Sequence, residues 1–320
     1  MAGNASYATL ATTTLQYFQN EVFSNALTNN ALLKVMLKDG IKTVSGRSFD
    51  LALRHRLNDT FAARSKTEPI PLTEQDNVTR SVWGIKVVDG AIALNEVDMA
   101  MNAGNKEKLI DLFEETKDGA IESLQEVLGD QIWSTSVGAN DLDSIPRMVA
   151  NSPTATSDVG GIPTSASAQS YWRNQSYITT VTGFATSQEG LNALDTLYAS
   201  CLYGSRGPTV AMTTKTVWVK YNLALQSNAR YTQMQSGDGV FKNLMYADLP
   251  VYFDDNVPST RWYFIDTKAI KLYVLSEANM KIGEFREAND QLLKSALVWV
   301  ALNLGTPERR TSGVVTSITG

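Results

Sequence analysis

The most regular pattern along the chain is an apolar stripe at helical spacing between residues 105 and 135. Leu124, Leu128 and Ile132 recur every four residues, in register with Leu109 near the start of the segment. Apolar residues three or four apart occupy one face of an α-helix. The pattern therefore predicts one long helix over residues 105–135 that lies with its stripe across a sheet.

The opposite side of this predicted helix is acidic. Five carboxylates recur at intervals of four, three, four and four residues: Asp111, Glu115, Asp118, Glu122 and Glu126. Between Lys106 and Asp130 the segment holds eight acids and three lysines, a net charge of −5. Like charges at these spacings destabilise an isolated helix slightly. Two interpretations stay open, a solvated face and a docking stripe for a basic partner.

Residues 46–90 show the two-residue alternation of β-strands. The outgoing run places apolar side chains on one face at Phe49, Leu51, Leu53 and Leu57, and the returning run does so at Trp83, Ile85 and Val87. Successive side chains of a strand point to opposite faces. The two runs predict a long β-hairpin.

The predicted hairpin has an unusually long tip. Residues 58–78 show no periodicity and contain Pro69 and Pro71. A compact domain seldom carries so long an irregular loop unless the loop has a function. Residues 41–70 hold six bases and three acids, a net charge of +3. The tip is interpreted as an arm that contacts another molecule. The alternative is a flexible surface loop with no binding partner.

The chain begins with a segment, residues 1–40, that has one apolar face at helical spacing through Leu15, Phe18 and Val22. An amphipathic helix at a chain end needs a surface to dock on, and its own domain or a neighbouring subunit could provide it. The first residues lack the charged and apolar regions of a signal peptide. No run approaches 18 apolar residues, so we expect no membrane contact.

The second half alternates between element types. Residues 151–170 are rich in Ser, Thr, Pro and Gly and predict a loop, and helices are predicted at 188–203 and 215–227. Short strands are predicted at TVAMT, PVYFDD, WYFID, IKLYVL and GVVTSI. The apolar run LLKSALVWVALNLG fits either a strand buried on both faces or a buried helix. Together these elements predict an α+β fold.

Composition narrows the function classes. A chain of 320 residues suits two linked domains. The net charge is −5 and basic residues form no block, so only non-specific contact with DNA is expected.

Candidate catalytic chemistry is sparse. The one histidine, His55, stands between Arg54 and Arg56, where two cations disfavour a general base. The single Cys201 falls in an amphipathic stretch and is interpreted as a small buried hydrophobe. No nucleophile elbow, phosphate loop or dinucleotide fingerprint occurs. We predict no enzyme, no cofactor and no metal site, although a carboxylate-only glycosidase carries no motif that would reveal it.

Three stretches, taken in order, resemble the major capsid proteins of tailed bacteriophages, which have the Hong Kong 97-like fold. They are SIPRMVANSPTATSDVGGIPTSASAQSYWRNQ, LPVYFDDNVPSTRWYFIDTKAIKLYV and KSALVWVALNLGTPERRTSGVVTSITG. Each match is loose, but the order of elements agrees over nearly the whole chain. The resemblance implies that the last apolar run is a strand.

The resemblance also implies a domain division. It assigns an N-terminal arm to 1–40, an extended E-loop hairpin to 41–90, a peripheral domain to 91–147 and 271–304 with its spine helix at 105–135, and an axial domain to 148–270 and 305–320.

The function implied is that of a structural subunit. Copies would assemble into pentamers and hexamers that form the icosahedral head around double-stranded DNA. The implied partners are further copies of the chain, a separate scaffolding protein, a portal and a decoration protein. Two alternative hypotheses for the function are an encapsulin-like compartment shell and a phage tail-tube or connector protein.

Charge suggests where subunits would meet. In the resembled fold the hairpin of one subunit lies over the peripheral domain of the next. The expected contacts join a basic set on the hairpin to the acidic helix face: Arg47, Arg54, Arg56, Arg64 and Lys66 with Asp111, Glu115, Asp118, Glu122 and Glu126.

Overall fold

The computed structural model describes residues 30–39, 41–97, 112–155, 158–184, 189–227, 244–279, 281–287 and 292–318. The helices of this part are α1 (Ala31–Lys38), α2 (Leu112–Trp133), α3 (Ile145–Met148), α4 (Glu189–Cys201) and α5 (Lys215–Ser227), with a 3-10 helix at Ser167–Trp172. The side chains of residues 112–115 and 226–227 are outside the description.

Fourteen strands complete the described part of the chain. The first seven are β1 (Lys42–Val44), β2 (Ser48–Arg54), β3 (Val78–Gly84), β4 (Lys86–Asn95), β5 (Gln175–Tyr177), β6 (Val210–Thr213) and β7 (Leu244–Tyr246). The others are β8 (Leu249–Phe253), β9 (Trp262–Ile265), β10 (Lys271–Leu275), β11 (Lys281–Ile282), β12 (Arg286–Glu287), β13 (Leu293–Gly305) and β14 (Gly313–Val315). The predicted α+β class is confirmed.

The first sheet is built around the long strand β13. One edge of β13 pairs antiparallel with β4, and the other edge pairs with β12, β11 and β10 in turn. The parallel strand β1 completes the sheet beside β10. The apolar run whose pattern left helix and strand open is therefore a strand. Its second half, from Ala301 to Gly305, is buried on both faces.

The second sheet has the order β5-β14-β9-β6-β8-β7. Its central strands are buried on both faces, because alternate residues enter two different hydrophobic cores. Tyr263 and Ile265 of β9 join the core shared with the first sheet, whereas Trp262 and Phe264 pack under α4 and α5. The predicted helix over 215–227 is present with the same bounds as α5.

The hairpin is formed by β2 and β3, which pair antiparallel from Ser48↔Gly84 to Arg54↔Val78. Phe49, Leu53 and Trp83 are buried, as the alternation predicts. The predicted return face fails beyond Trp83, because the strand breaks at Ile85 and β4 joins β13 instead. The break reverses the alternation, so Val88 is buried and Val87 is exposed.

The long helix α2 packs against β4 of the first sheet. Leu124, Leu128 and Ile132 are buried, which confirms the predicted apolar stripe. The helix ends at Trp133 instead of residue 135, and residues 105–111 of the predicted helix lie outside the described part.

The short helix α1 docks on the body of the same chain, against α2 and β10. Its buried residues are Ala31, Leu32, Leu33 and Met36. The backbone N–H of Leu32 donates to a carboxylate oxygen of Asp254 at 3.1 Å, as carboxylates commonly do at helix N-termini. The apolar face predicted through Leu15 to Leu27 lies outside the described residues.

Candidate assembly surfaces

The hairpin tip, residues 55–77, exposes large apolar side chains. Leu72 is 96% exposed and Phe61 85% exposed, and Leu57 and Ile70 are exposed as well. Leu57 therefore does not continue the buried row of Phe49 and Leu53, because β2 ends at Arg54. Several large apolar side chains exposed on one short segment are typical of an interaction surface.

The five predicted basic contact residues all lie on the hairpin or its root. Arg47, Arg54, Arg56 and Lys66 are exposed, and Arg64 is half-buried. Two of the five are paired within the tip: Arg56 with Asp59, and Arg64 with Glu68 at 4.0 Å. Exposed pairs of this kind contribute only about 0.2–1 kcal/mol.

The acidic face of α2 is only partly open. Asp118 is exposed, and Glu122 and Glu126 are half-buried. Glu126 accepts a hydrogen bond from the side chain of Asn30, which precedes α1, at 3.3 Å. Asp111 and the side chain of Glu115 lie outside the described residues. The centre of the exposed face carries Ser123 and Val127, so the acids border that face.

The outer face of the first sheet, opposite α2, exposes large apolar side chains beside two charged residues, Asp89 and Lys281, which pair with Trp299. Leu297 is 61% exposed and Val87 is 53% exposed, and Trp299 between them is half-buried. Their neighbours across the β13–β4 pairing are alanines, Ala91 opposite Leu297 and Ala301 opposite Val87. The other face of the same strands, with Val88 and Val298, is buried.

A cleft of about 610 Å³ opens beside β5. Sequence patterns did not indicate it, because its walls come from three distant segments: Asn151–Thr154, Ser170–Ile178 and Arg310. Two lining side chains are arginines, and none of the described lining residues is an aspartate or glutamate. The guanidinium of Arg173 donates to the carbonyl oxygens of Thr164, Ser165 and Ala166. The guanidinium of Arg310 lies 4.1 Å from the ring centroid of Tyr203.

A third arginine, Arg309, is fully buried beneath this cleft. It donates to the carbonyl oxygens of Met148 and Trp172 and to the side-chain oxygen of Asn174. Burial, together with the charge of Arg147, lowers the pKa of Arg309 to about 9. The side chain still carries its charge at neutral pH, and its described hydrogen-bond partners are all neutral oxygens.

The base of the hairpin tip, just after β2, lies at the rim of the cleft. The ring of His55 lies 4.9 Å from that of Tyr171, measured between centroids. Burial raises the pKa of Tyr171, and the carboxylate of Asp76 raises it further. His55 thus contacts an aromatic ring at a junction between hairpin and body.

Residues that could support catalysis are placed in structural roles. Cys201 is buried, as its pattern predicts, and burial raises the pKa of its thiol to about 12. Asp254 accepts a hydrogen bond from the backbone N–H of Leu32 in α1, and burial raises the pKa of this carboxyl. Within the described ranges no three His, Cys, Asp or Glu side chains are grouped as a metal site would require.

None of the helices in the described part is long and apolar enough to cross a membrane.

No family model matches the chain, and no curated protein matches its sequence. Solved structures match it over nearly its full length. A chain of the cyanophage A-1(L) capsid superposes with a TM-score of 0.68 at 13% identity, covering 98% of this chain and 99% of that one. A capsid chain of a native GTA particle gives 0.66 at 10% identity, covering all of both chains.

A third match is an encapsulin, the holo-SrpI complex of Synechococcus elongatus PCC 7942. Its TM-score is 0.61 at 12% identity, covering 97% of this chain and 95% of that one. These likenesses establish the fold. The chain has the Hong Kong 97-like fold of phage major capsid proteins, as its resemblance implied.

Proposed function

We propose that the chain is a structural subunit of a phage head, where copies assemble into pentamers and hexamers around double-stranded DNA. The observation that carries the proposal is the fold match to capsid chains over 98–100% of both partners. In this proposal the protein resides in the virion capsid and catalyses no reaction.

The exposed apolar surfaces support assembly. The hairpin tip carries Phe61 and Leu72 in water, and the outer face of the first sheet carries Leu297 and Val87. Burial of apolar area is worth about 25 cal/mol per Å², so a neighbour that covers both surfaces stabilises the assembly. Each contact is modest, but repetition across a closed shell multiplies it.

Opposite charges support a register for these contacts. We propose that the basic side of the hairpin, through Arg47, Arg54 and Lys66, faces an acidic surface on a neighbour. Asp118 and Glu122 of α2 are the described acids best placed for it, because Glu126 already contacts Asn30. Such charges contribute more to the choice of partner than to affinity.

The two six-stranded sheets support a proposed domain division. We assign the first sheet and α2 to a peripheral domain, the second sheet with α4 and α5 to an axial domain, and β2–β3 with its tip to the E-loop. The strand pairing places β1 and the start of β4 in the first sheet, so the projecting hairpin proper is 48–84. A scaffolding protein, a portal and a decoration protein remain proposed partners.

A second candidate function is a compartment shell of the encapsulin type, which the match to the holo-SrpI complex favours. Genomic context separates the two. Genes for a portal and a DNA-packaging terminase beside this one support the phage head, whereas an adjacent gene for a cargo enzyme and no packaging genes would support the compartment.

Assembly itself is tested by measuring the mass of the purified chain in solution. We expect species of many subunits that grow with concentration or on addition of a scaffolding protein. A sharp peak at the 35.0 kDa monomer mass under all these conditions would contradict the proposal.

A further inference from the structure

The strand β5 is an open edge of the second sheet. It pairs with β14 on one side, through Gln175 N–H to Ser312 and Thr316 N–H to the carbonyl of Tyr177. Because backbone groups alternate along a strand, the N–H and C=O of Ser176 point to the other side. No strand within the described ranges pairs there. An open edge of this kind can accept a further strand.

The arginine cleft runs along this open edge. Gln175, Ser176 and Ile178 line it together with Arg173 and Arg310. Ile178 is 65% exposed, so an apolar contact is available beside the cations. The edge and the cleft together suit an extended segment that carries carboxylates. One described acid, Asp76, lies close enough to Tyr171 at the rim to raise the pKa of that residue.

The returning arm of the hairpin tip, residues 68–76, has the complementary chemistry. It contains three acids, Glu68, Glu74 and Asp76, and no base. It forms no helix or strand of its own. Side chains two apart share a face in an extended segment, so Ile70, Leu72 and Glu74 point the same way and could meet Ile178 and Arg310 together.

Two prolines give this arm a single pairing edge. Pro69 and Pro71 have no backbone N–H, so one edge of an extended segment is blocked for pairing. The N–H groups of Ile70 and Leu72 point to the opposite edge. Leu72 is 96% exposed, so this part of the arm does not fill its own cleft and is available to the cleft of a second copy.

We infer that residues 68–76 of one copy add as a strand to the open edge of β5 in a neighbouring copy, with Glu74 directed at Arg310. This inference rests on the proposed function and specifies one contact of the assembly. The main-chain hydrogen bonds provide affinity, and the arginines select the acidic arm.

Disulfide trapping tests the contact in assembled material. Chains with Ser176→Cys are mixed with chains carrying Leu72→Cys, Thr73→Cys or Glu74→Cys, assembled together and oxidised. A disulfide forms where the Cα atoms approach to about 4.4–6.8 Å. The native Cys201 is fully buried, so it does not compete. The control partner is Ala62→Cys, on the basic outgoing arm.

We expect a band of twice the chain mass on non-reducing gels from at least one of the three mixtures. None is expected from any single variant alone or from the Ala62→Cys mixture. Adding Arg310→Glu should lower the yield about fivefold, whereas the charge reversal Lys215→Glu, at the exposed start of α5, should leave it unchanged.

If the assembled mixtures give no cross-link, or if Lys215→Glu lowers the yield as much as Arg310→Glu, the inference is overturned and the shell function stands. If the wild-type chain never assembles, the inference falls together with the proposed function. The two failures are therefore distinguishable.

Discussion

Asn30 occupies the space that a side chain on Gly129 would need, since a Cβ built there would collide with the Asn30 amide group. Asn30 is held in place by three hydrogen bonds. Its amide donates to the carbonyl of Gln125 and to Glu126, both at 3.3 Å, and its oxygen accepts from Asn256 at 2.9 Å. The point where the N-terminal segment joins the body is thus fixed by the close approach of α1 to α2.

Gly129→Ala should therefore destabilise the protein although alanine favours helix. Alanine would gain about 1 kcal/mol in helix propensity, but displacing the packed Asn30 costs about 1–3 kcal/mol. The matched control is Gly119→Ala in the same helix, where none of the described atoms outside the helix's own backbone lies within 4 Å of the new Cβ. Urea unfolding should show a gain for the control and a loss for Gly129→Ala. Equal gains would contradict the packing.

Arg309 and Arg310 are adjacent in the chain, but substitution of Arg309 should reduce stability far more than substitution of Arg310. Arg309→Lys removes the guanidinium that donates hydrogen bonds to Met148, Trp172 and Asn174. Each buried oxygen left without a donor lowers the free energy of unfolding by about 1–3 kcal/mol. Arg310→Lys changes an exposed side chain and should stay within about 0.5 kcal/mol. Thermal unfolding of the two variants checks the difference, and equal melting temperatures would refute the buried role.

Asp266 should make stability fall as pH rises. Burial raises its pKa above the usual 3.8, although hydrogen bonds from Thr311 and Lys268 oppose the shift. A buried carboxyl whose pKa is raised in the folded state destabilises the fold less when it is protonated than when it is ionised. Its contribution is therefore most favourable below pH 3.8 and declines as pH increases through the folded-state pKa.

The comparison variant for this effect is Asp266→Asn, which keeps the shape of the side chain and does not titrate. The stability of the wild type relative to the variant should decrease from acidic to neutral pH. A relative stability that increases over that range would show that the hydrogen bonds outweigh the burial.

The sequence predicted most of the elements, because their patterns are local. The apolar stripe of α2 and the bounds of α5 follow from spacing alone. The final apolar run was ambiguous by pattern, because residues 296–302 are all apolar and show neither a helical nor a two-residue period. The short helix α1 was not predicted, because its four buried residues need the surfaces of α2 and β10 to be recognisable as a face.

The assembly surfaces were less predictable. Charge counting found the basic hairpin and the acidic helix, but it could not show that Glu126 contacts Asn30 or that Arg56 pairs with Asp59. The arginine cleft at β5 joins residues more than 150 positions apart, such as Asn151 and Arg310. No periodicity links such residues, so only the folded chain brings them together.

Charge reversal on the hairpin should block assembly without unfolding the subunit. Arg54→Glu with Arg56→Glu changes exposed side chains, so circular dichroism should stay normal. The lost attraction should reduce shell formation, most strongly at low salt, because screening limits these contacts to roughly 8 Å at physiological ionic strength. Adding Asp118→Lys and Glu122→Lys should partly restore assembly. Normal assembly of the double mutant at all salt concentrations would contradict the proposed contact between the basic hairpin and the acidic face of α2.

Negative-stain electron microscopy of the purified, assembled protein shows directly whether this chain builds a closed shell. We expect closed icosahedral particles, accompanied by rings of five and six subunits at early times. Open tubes, or a uniform field of monomers at high concentration with a scaffolding protein present, would contradict it.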